Sequence, residues 1–126
     1  MKLKATDIRQ VWDDVQPGLQ VIKNRFNPEW RTEDIYADCV SGNATLYMAD
    51  GGFFVMRVDV ERFTGQSTLF IWIVYGKAEE EWESYLDEIE TLARSVGAKS
   101  ISFESPRKGY QKKGFEIENI KYRRLL

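Results

Sequence analysis

Side chains able to act as acid, base or nucleophile are unevenly supplied in this chain. It contains no histidine and a single cysteine, Cys39. Ser-His-Asp and Cys-His chemistry are therefore excluded. One Cys without His also cannot furnish a zinc-ligand cluster. Proton transfer has to fall to Asp, Glu, Lys, Tyr, Cys or a chain terminus. Three carboxylates sit where a strand could present them to a cleft: Asp59 and Glu61 on one strand candidate, and Glu104 at the end of another. Residues of this kind more often occupy the solvated face of a strand, and that reading outweighs the catalytic one.

Charge is segregated even though the net value is only -2. Residues 79–90 hold seven acids and no base, whereas residues 99–126 hold eight bases against three acids. The cluster Arg107, Lys108, Lys112 and Lys113 has the charge to meet phosphate, nucleic acid or an acidic protein face. Two solvated surfaces account for the same pattern, so nucleic acid is not an expected partner. An acidic helix facing the basic tail of a second copy would also suit a homodimer. A lone cysteine fits a reducing, cytoplasmic setting. No signal peptide is expected, because no apolar run follows Met1-Lys2-Leu3-Lys4. The longest apolar run, residues 69–75, is too short to span a membrane.

The elements that must position these groups read as one domain over residues 1–126. Thr6 is placed to cap a helix carrying Ile8, Val11, Trp12 and Val15 on one face. Pro17-Gly18 predicts a break there, with Leu19, Val21, Ile22 and Phe26 in a second helical piece. Thr32 caps a third, with Ile35, Tyr36, Cys39 and Val40, stopping near Gly42. Residues 45–49 read as a strand leading into the tight-turn signal Asp50-Gly51-Gly52. Phe54, Met56, Val58 and Val60 alternate with charges, the pattern of a half-buried strand. Residues 69–75 are apolar on both parities, the pattern of a central strand covered on both faces. Trp82, Tyr85, Leu86, Ile89, Ala93 and Val96 make one stripe, predicting a single long helix over residues 79–96 that stops at Gly97. A strand over 99–104, a short helix opening at Ser105-Pro106, and a last strand from Phe115 and Ile117 complete the order. A parity shift across Asn119 and Ile120 predicts a bulge or turn.

That order, and above all the ending Ser105-Pro-Arg-Lys-Gly-Tyr-Gln-Lys-Lys-Gly-Phe115, resembles the GNAT (N-acetyltransferase-like) superfamily. Its members carry a Tyr four residues before a Gly-Phe pair. Small GNAT-like proteins of tailed bacteriophages and prophages have very similar endings, which implies a product of a bacterial host's cytoplasm or of the virion. The resemblance implies an α/β (α+β) fold, a mixed, mostly antiparallel central sheet with helices on both faces. It also implies acetyl-CoA as acyl donor and an amine acceptor that the sequence does not name. The family's proton donor to the departing thiolate falls on Tyr110. The family's pyrophosphate loop, between central strand and long helix, falls on Val74, Tyr75, Gly76, Lys77 and Ala78.

In the family that loop has an Arg or Gln, then two small residues that let phosphates approach bare N–H groups at a helix start. Here one Gly and one Lys are followed by Glu79-Glu80-Glu81. Those carboxylates are placed to satisfy the helix start themselves and to repel a pyrophosphate, at roughly 1 kcal/mol per charge pair in water and roughly 4 near a protein surface. The expectation is therefore a GNAT fold with a degenerate cofactor loop. The alternatives are a non-catalytic protein-interaction or virion-associated protein and, more weakly, nucleic-acid binding through the basic C-terminal face.

Overall fold

The computed structural model describes residues 2–105, 114–118 and 122–126. Among the described residues, five strands form one sheet in sequence order: β1 (Lys4–Thr6), β2 (Thr45–Ala49), β3 (Gly52–Val60), β4 (Ser67–Gly76) and β5 (Ser100–Phe103). The first four are antiparallel, and β4 and β5 are parallel. Helices α1 (Ile8–Phe26) and α2 (Thr32–Ser41) cover one face. The one-turn α3 (Lys77–Glu80), a 3₁₀ turn (Trp82–Tyr85) and α4 (Leu86–Ser95) cover the other. This is the mixed, mostly antiparallel sheet with two helical layers that the sequence implies.

Two cores result. Val15, Leu19, Ile22 and Ile35 pack with Leu46, Phe53, Val55 and Ile73 on the α1/α2 side. Leu3, Tyr85, Ile89 and Ala93 pack with Phe54, Met56, Leu69 and Ile71 on the α4 side. Residues 53–56 of β3 are consequently all buried, because both faces are covered there. The half-buried pattern expected along β3 is not found. Past Met56 the helical cover ends, and Val58 and Val60 are exposed.

Several elements differ from the sequence expectation, each for an identifiable reason. Thr6 does not cap α1; it belongs to the short strand β1, opposite Leu46. Asp7 is the cap, accepting the Arg9 N–H at 3.0 Å. Likewise Thr32 is the first residue of α2 and is buried, and Arg31 precedes it as the cap position. Helix α1 does not break at Pro17-Gly18; its irregularity lies at Val11 (φ -127°, ψ 15°). Pro17 forfeits the bond its N–H would make to the Asp13 carbonyl, a loss of about 3 kcal/mol. Continuing the helix buries Leu19 and Ile22, each contributing about 1.5–3 kcal/mol, which offsets that loss. Gly18 is a point of close approach. A Cβ there would lie 2.7 Å from Tyr75 Cδ2 and 2.9 Å from Phe53 Cε2.

The single helix expected over 79–96 is split at Glu81 (φ -112°, ψ 17°). The Ser84 N–H and hydroxyl both donate to the Glu81 carbonyl, at 2.9 and 2.7 Å. That carbonyl bonds one residue too early for an α-helix, the competition expected of a serine. Residues 114–118 belong to no strand, contrary to the expected last strand. Phe115 is held by its ring instead, 5.1 Å from Phe103 and 5.9 Å from Trp82 between centroids. The helix expected after Ser105 and the bulge at Asn119-Ile120 fall outside the described residues. Finally, the Glu88 carboxylate of α4 accepts the backbone N–H groups of Lys2 (2.6 Å) and Leu3 (3.2 Å), tying the start of the chain to the α4 layer.

The Gly18 contact gives a test of this packing. In an open helix Gly→Ala stabilises by roughly 1 kcal/mol. Here Gly18→Ala should destabilise by roughly 1–3 kcal/mol through overpacking against Tyr75 and Phe53, read by urea denaturation. A gain in stability would show that α1 does not sit on those rings.

Candidate functional site

Strand β4 pairs with β5 only from Thr68↔Ser100 to Ile71↔Phe103. With β3 it pairs as far as Gly52↔Gly76. Among the described residues, 73–76 thus have a ladder neighbour on one side only. The register against β3 also slips, since Val55 faces Ile73 while Met56 faces Ile71. Trp72 is the extra residue of a bulge and among the described residues has no ladder partner on either side. The bulge reverses the parity of the strand. Leu69 and Ile71 face the α4 core, whereas Trp72 and Ile73 both pack on the α1/α2 side. Ser102 is paired, opposite Phe70, and the two strands part company one residue later.

A cleft of about 880 Å³ opens at this parting. Its walls include Trp30, Phe70, Trp72, Trp82 and Phe103, so they are largely aromatic. Among the described residues, five charged ones line it: Arg25, Glu29, Arg57, Glu79 and Glu104. Arg25 is paired with Glu79 at 3.4 Å. Among the described residues Glu29 and Glu104 have no ion pair. Arg57 lies 4.7 Å from the ring centroids of both Phe70 and Trp72, and its Nε donates to Asp59 at 3.0 Å.

The residues picked out in the sequence are distributed as follows. Glu104 lines the cleft. Asp59 lies beside Arg57 and is not part of the wall; Glu61 sits in the β3–β4 turn, where the Thr64 side chain first, and then the N–H groups of Thr64 and Phe63 that it accepts, lower its pKa. Val74 lines the cleft, whereas the other four loop residues do not. The Tyr75 ring turns into the α1 side, 5.3 Å from Phe53. Gly76 (φ 78°, ψ -149°) presses on the β2–β3 hairpin, where a Cβ would lie 2.3 Å from the Gly51 oxygen. The Lys77 N–H donates to that same oxygen at 2.9 Å, and its ammonium lies 4.0 Å from Glu81. Ala78 is buried. Glu79 and Glu80 stand in the first turn of α3, where carboxylates meet the positive helix start, while its first N–H, that of Lys77, is taken by the hairpin carbonyl. Tyr110 and the basic cluster Arg107, Lys108, Lys112 and Lys113 lie outside the described residues.

The sequence marks neither Arg57 nor the tryptophans at 30, 72 and 82 as site residues, and places Trp82 only in a helix stripe. Arg57 reads as an outward strand charge, and only the pairing Arg57↔Phe70 reveals what it stacks on. Among the described residues no cluster of His, Cys, Asp and Glu is placed to hold a metal ion. Nor is any described helix long and apolar enough to cross a membrane.

No protein-family model matches the chain, and no curated protein matches it by sequence. Solved structures do match its fold. A probable acetyltransferase superposes with a TM-score of 0.73 at 13% identity, over 100% of this chain and 97% of that one. Ribosomal-protein-alanine N-acetyltransferase from Brucella melitensis biovar Abortus 2308 gives 0.70 at 13% identity, over 100% of both chains. An acetyltransferase of Trypanosoma brucei gives 0.62 at 13% identity, over 98% of both. At such identities the likeness is one of fold: the chain has the GNAT-like fold.

Cys39 on α2 has its pKa pushed up to about 11, first by burial and then by the charge of Asp38. A raised pKa means less thiolate at any pH below it. Alkylation of native Cys39 by iodoacetamide at mildly alkaline pH should therefore run about a hundredfold slower than that of a free thiol, and speed up about tenfold per pH unit. Alkylation at the free-thiol rate would contradict the partly buried placement.

Proposed function

We propose that this chain is an amine acyltransferase of the GNAT fold that holds its acyl-thioester donor chiefly by the pantetheine arm. The observation that carries this reading is the length of β4, residues 72–76, left without a neighbour on the β5 side and opening onto an aromatic-walled cleft. A pantetheine arm is an extended chain with two amides. An exposed strand edge can hydrogen-bond such a chain as it would an added strand. The neighbouring solved acetyltransferases support acetyl-CoA as the donor.

The nucleotide end of that donor fits less well. The Lys77 N–H is already spent on Gly51, and Glu79 and Glu81 flank the loop. These contacts support reading the loop as degenerate for pyrophosphate. The thioester brings an activated carbonyl, and this chain's residues would do the rest. The bulged backbone at Trp72, without a ladder partner among the described residues, would meet the carbonyl oxygen. Glu104 takes the proton from the amine as the C–N bond forms, and Tyr110 supplies one to sulfur as the C–S bond breaks. The likeness of the chain's ending to small phage and prophage proteins supports a phage- or prophage-encoded origin.

A non-catalytic, partner-binding role is the second reading, favoured by the same closed loop at Gly76–Ala78. Calorimetry with acetyl-CoA and with S-acetyl-pantetheine separates the two. Both ligands should bind, with affinities within about tenfold, because the nucleotide adds little. Absence of binding by either at millimolar concentration would reject the acyltransferase and leave the second reading. In an active preparation Glu104→Gln should lower kcat/KM by about a hundredfold, the usual worth of a general base.

A further inference from the structure

We propose that the acceptor is an amine carrying a carboxylate, and that Arg57 reads the carboxylate while Glu104 faces the amine. This rests on the acyl-transfer reading for the amine's fate, but not for the binding site itself. Arg57↔Phe70 and Phe70↔Ser102 are directly opposite pairs, so Arg57, Phe70 and Ser102 form one row across the same face of the sheet. Thr68 and Ser100, one row away, share a hydrogen bond of 2.8 Å between their hydroxyls, which fixes that face. Glu104 lies two residues beyond Ser102 and, like Arg57, lines the cleft.

The Arg57 side chain is held in place before any ligand arrives. Phe70 and Trp72 stack on the guanidinium, and Asp59 takes its Nε. Among the described residues nothing takes Nη1 or Nη2. A planar fork with its terminal donors unspent is matched to a carboxylate. The remaining charge of the wall has the opposite sense. Arg25 is committed to Glu79, so among the described residues Glu29 and Glu104 are the wall's remaining unpaired charges and favour an ammonium. Two strand spacings and a two-residue step put the Arg57 and Glu104 Cα atoms about 12 Å apart. Once both side chains reach inward, the gap suits the two ends of a dipeptide.

Titration of the full chain, without thioester, with Gly-Phe and with Gly-Phe amide tests this directly. Gly-Phe should bind at least about tenfold more tightly. Arg57→Gln should erase the preference. Arg57→Lys, which keeps the charge but loses the fork, should retain only part of it. Thermal unfolding of both variants checks that the fold is kept. Equal binding of the two peptides, a preference that survives in Arg57→Gln, or no binding of either at about 10 mM would each overturn the proposal. The outcome is independent of the donor titration. A carboxylate preference without donor binding leaves the Arg57 site standing and removes the transferase, and the reverse result removes only the site.

Discussion

Strand β4 is paired with β3 along almost its whole length and with β5 along only its first half, and most of the molecule's character follows from that inequality. The bulge at Trp72 falls immediately after the last β4–β5 pair. Before it, β4 is an ordinary interior strand. After it, the side chains exchange faces and one backbone edge is released. An unpaired edge in the middle of a sheet is normally a defect to be covered. Here the surroundings are aromatic rings and a few charges, a lining suited to binding an extended polar chain rather than excluding one.

The opposite choice is made a few residues later. At Gly76 the chain turns against the β2–β3 hairpin so closely that no side chain fits, and the hairpin carbonyl takes the first N–H of α3. One end of β4 is thus open and the other sealed. Whatever lies along the edge meets backbone donors and acceptors in its middle and a closed, acid-flanked turn at its end. Among the described residues the wall carries both signs, with Arg57 on β3 and the unpaired carboxylates Glu29 and Glu104 elsewhere on it.

Much of this was written in the sequence, and what was not has physical causes. Turn chemistry placed the 45–49 strand and the Asp50-Gly51-Gly52 hairpin, and the two-parity apolar run placed β4. That same run concealed the bulge, because residues 69–75 are apolar whichever way they face. Pro17 misled because a local rule about proline was overridden by the burial of Leu19 and Ile22 beyond it. Strand β1 is three residues long and carries no pattern of its own. Glu104 was singled out from sequence and does reach the cleft, whereas Asp59 and Glu61 serve neighbouring groups. Arg57 could not be assigned, since its importance depends on a register between strands that no local window contains.

The tie between Glu88 and the first residues has a kinetic side. Leu3 is buried in a core whose other wall, Tyr85, Ile89 and Ala93, lies more than eighty positions further along the chain. The parallel pairing of β4 with β5 likewise waits on everything between them. On a ribosome, therefore, β2 and β3 can associate as soon as they emerge, while β1 and Leu3, made before them, remain unburied until α4 arrives. Of these segments, the one made earliest is among the last to find its place.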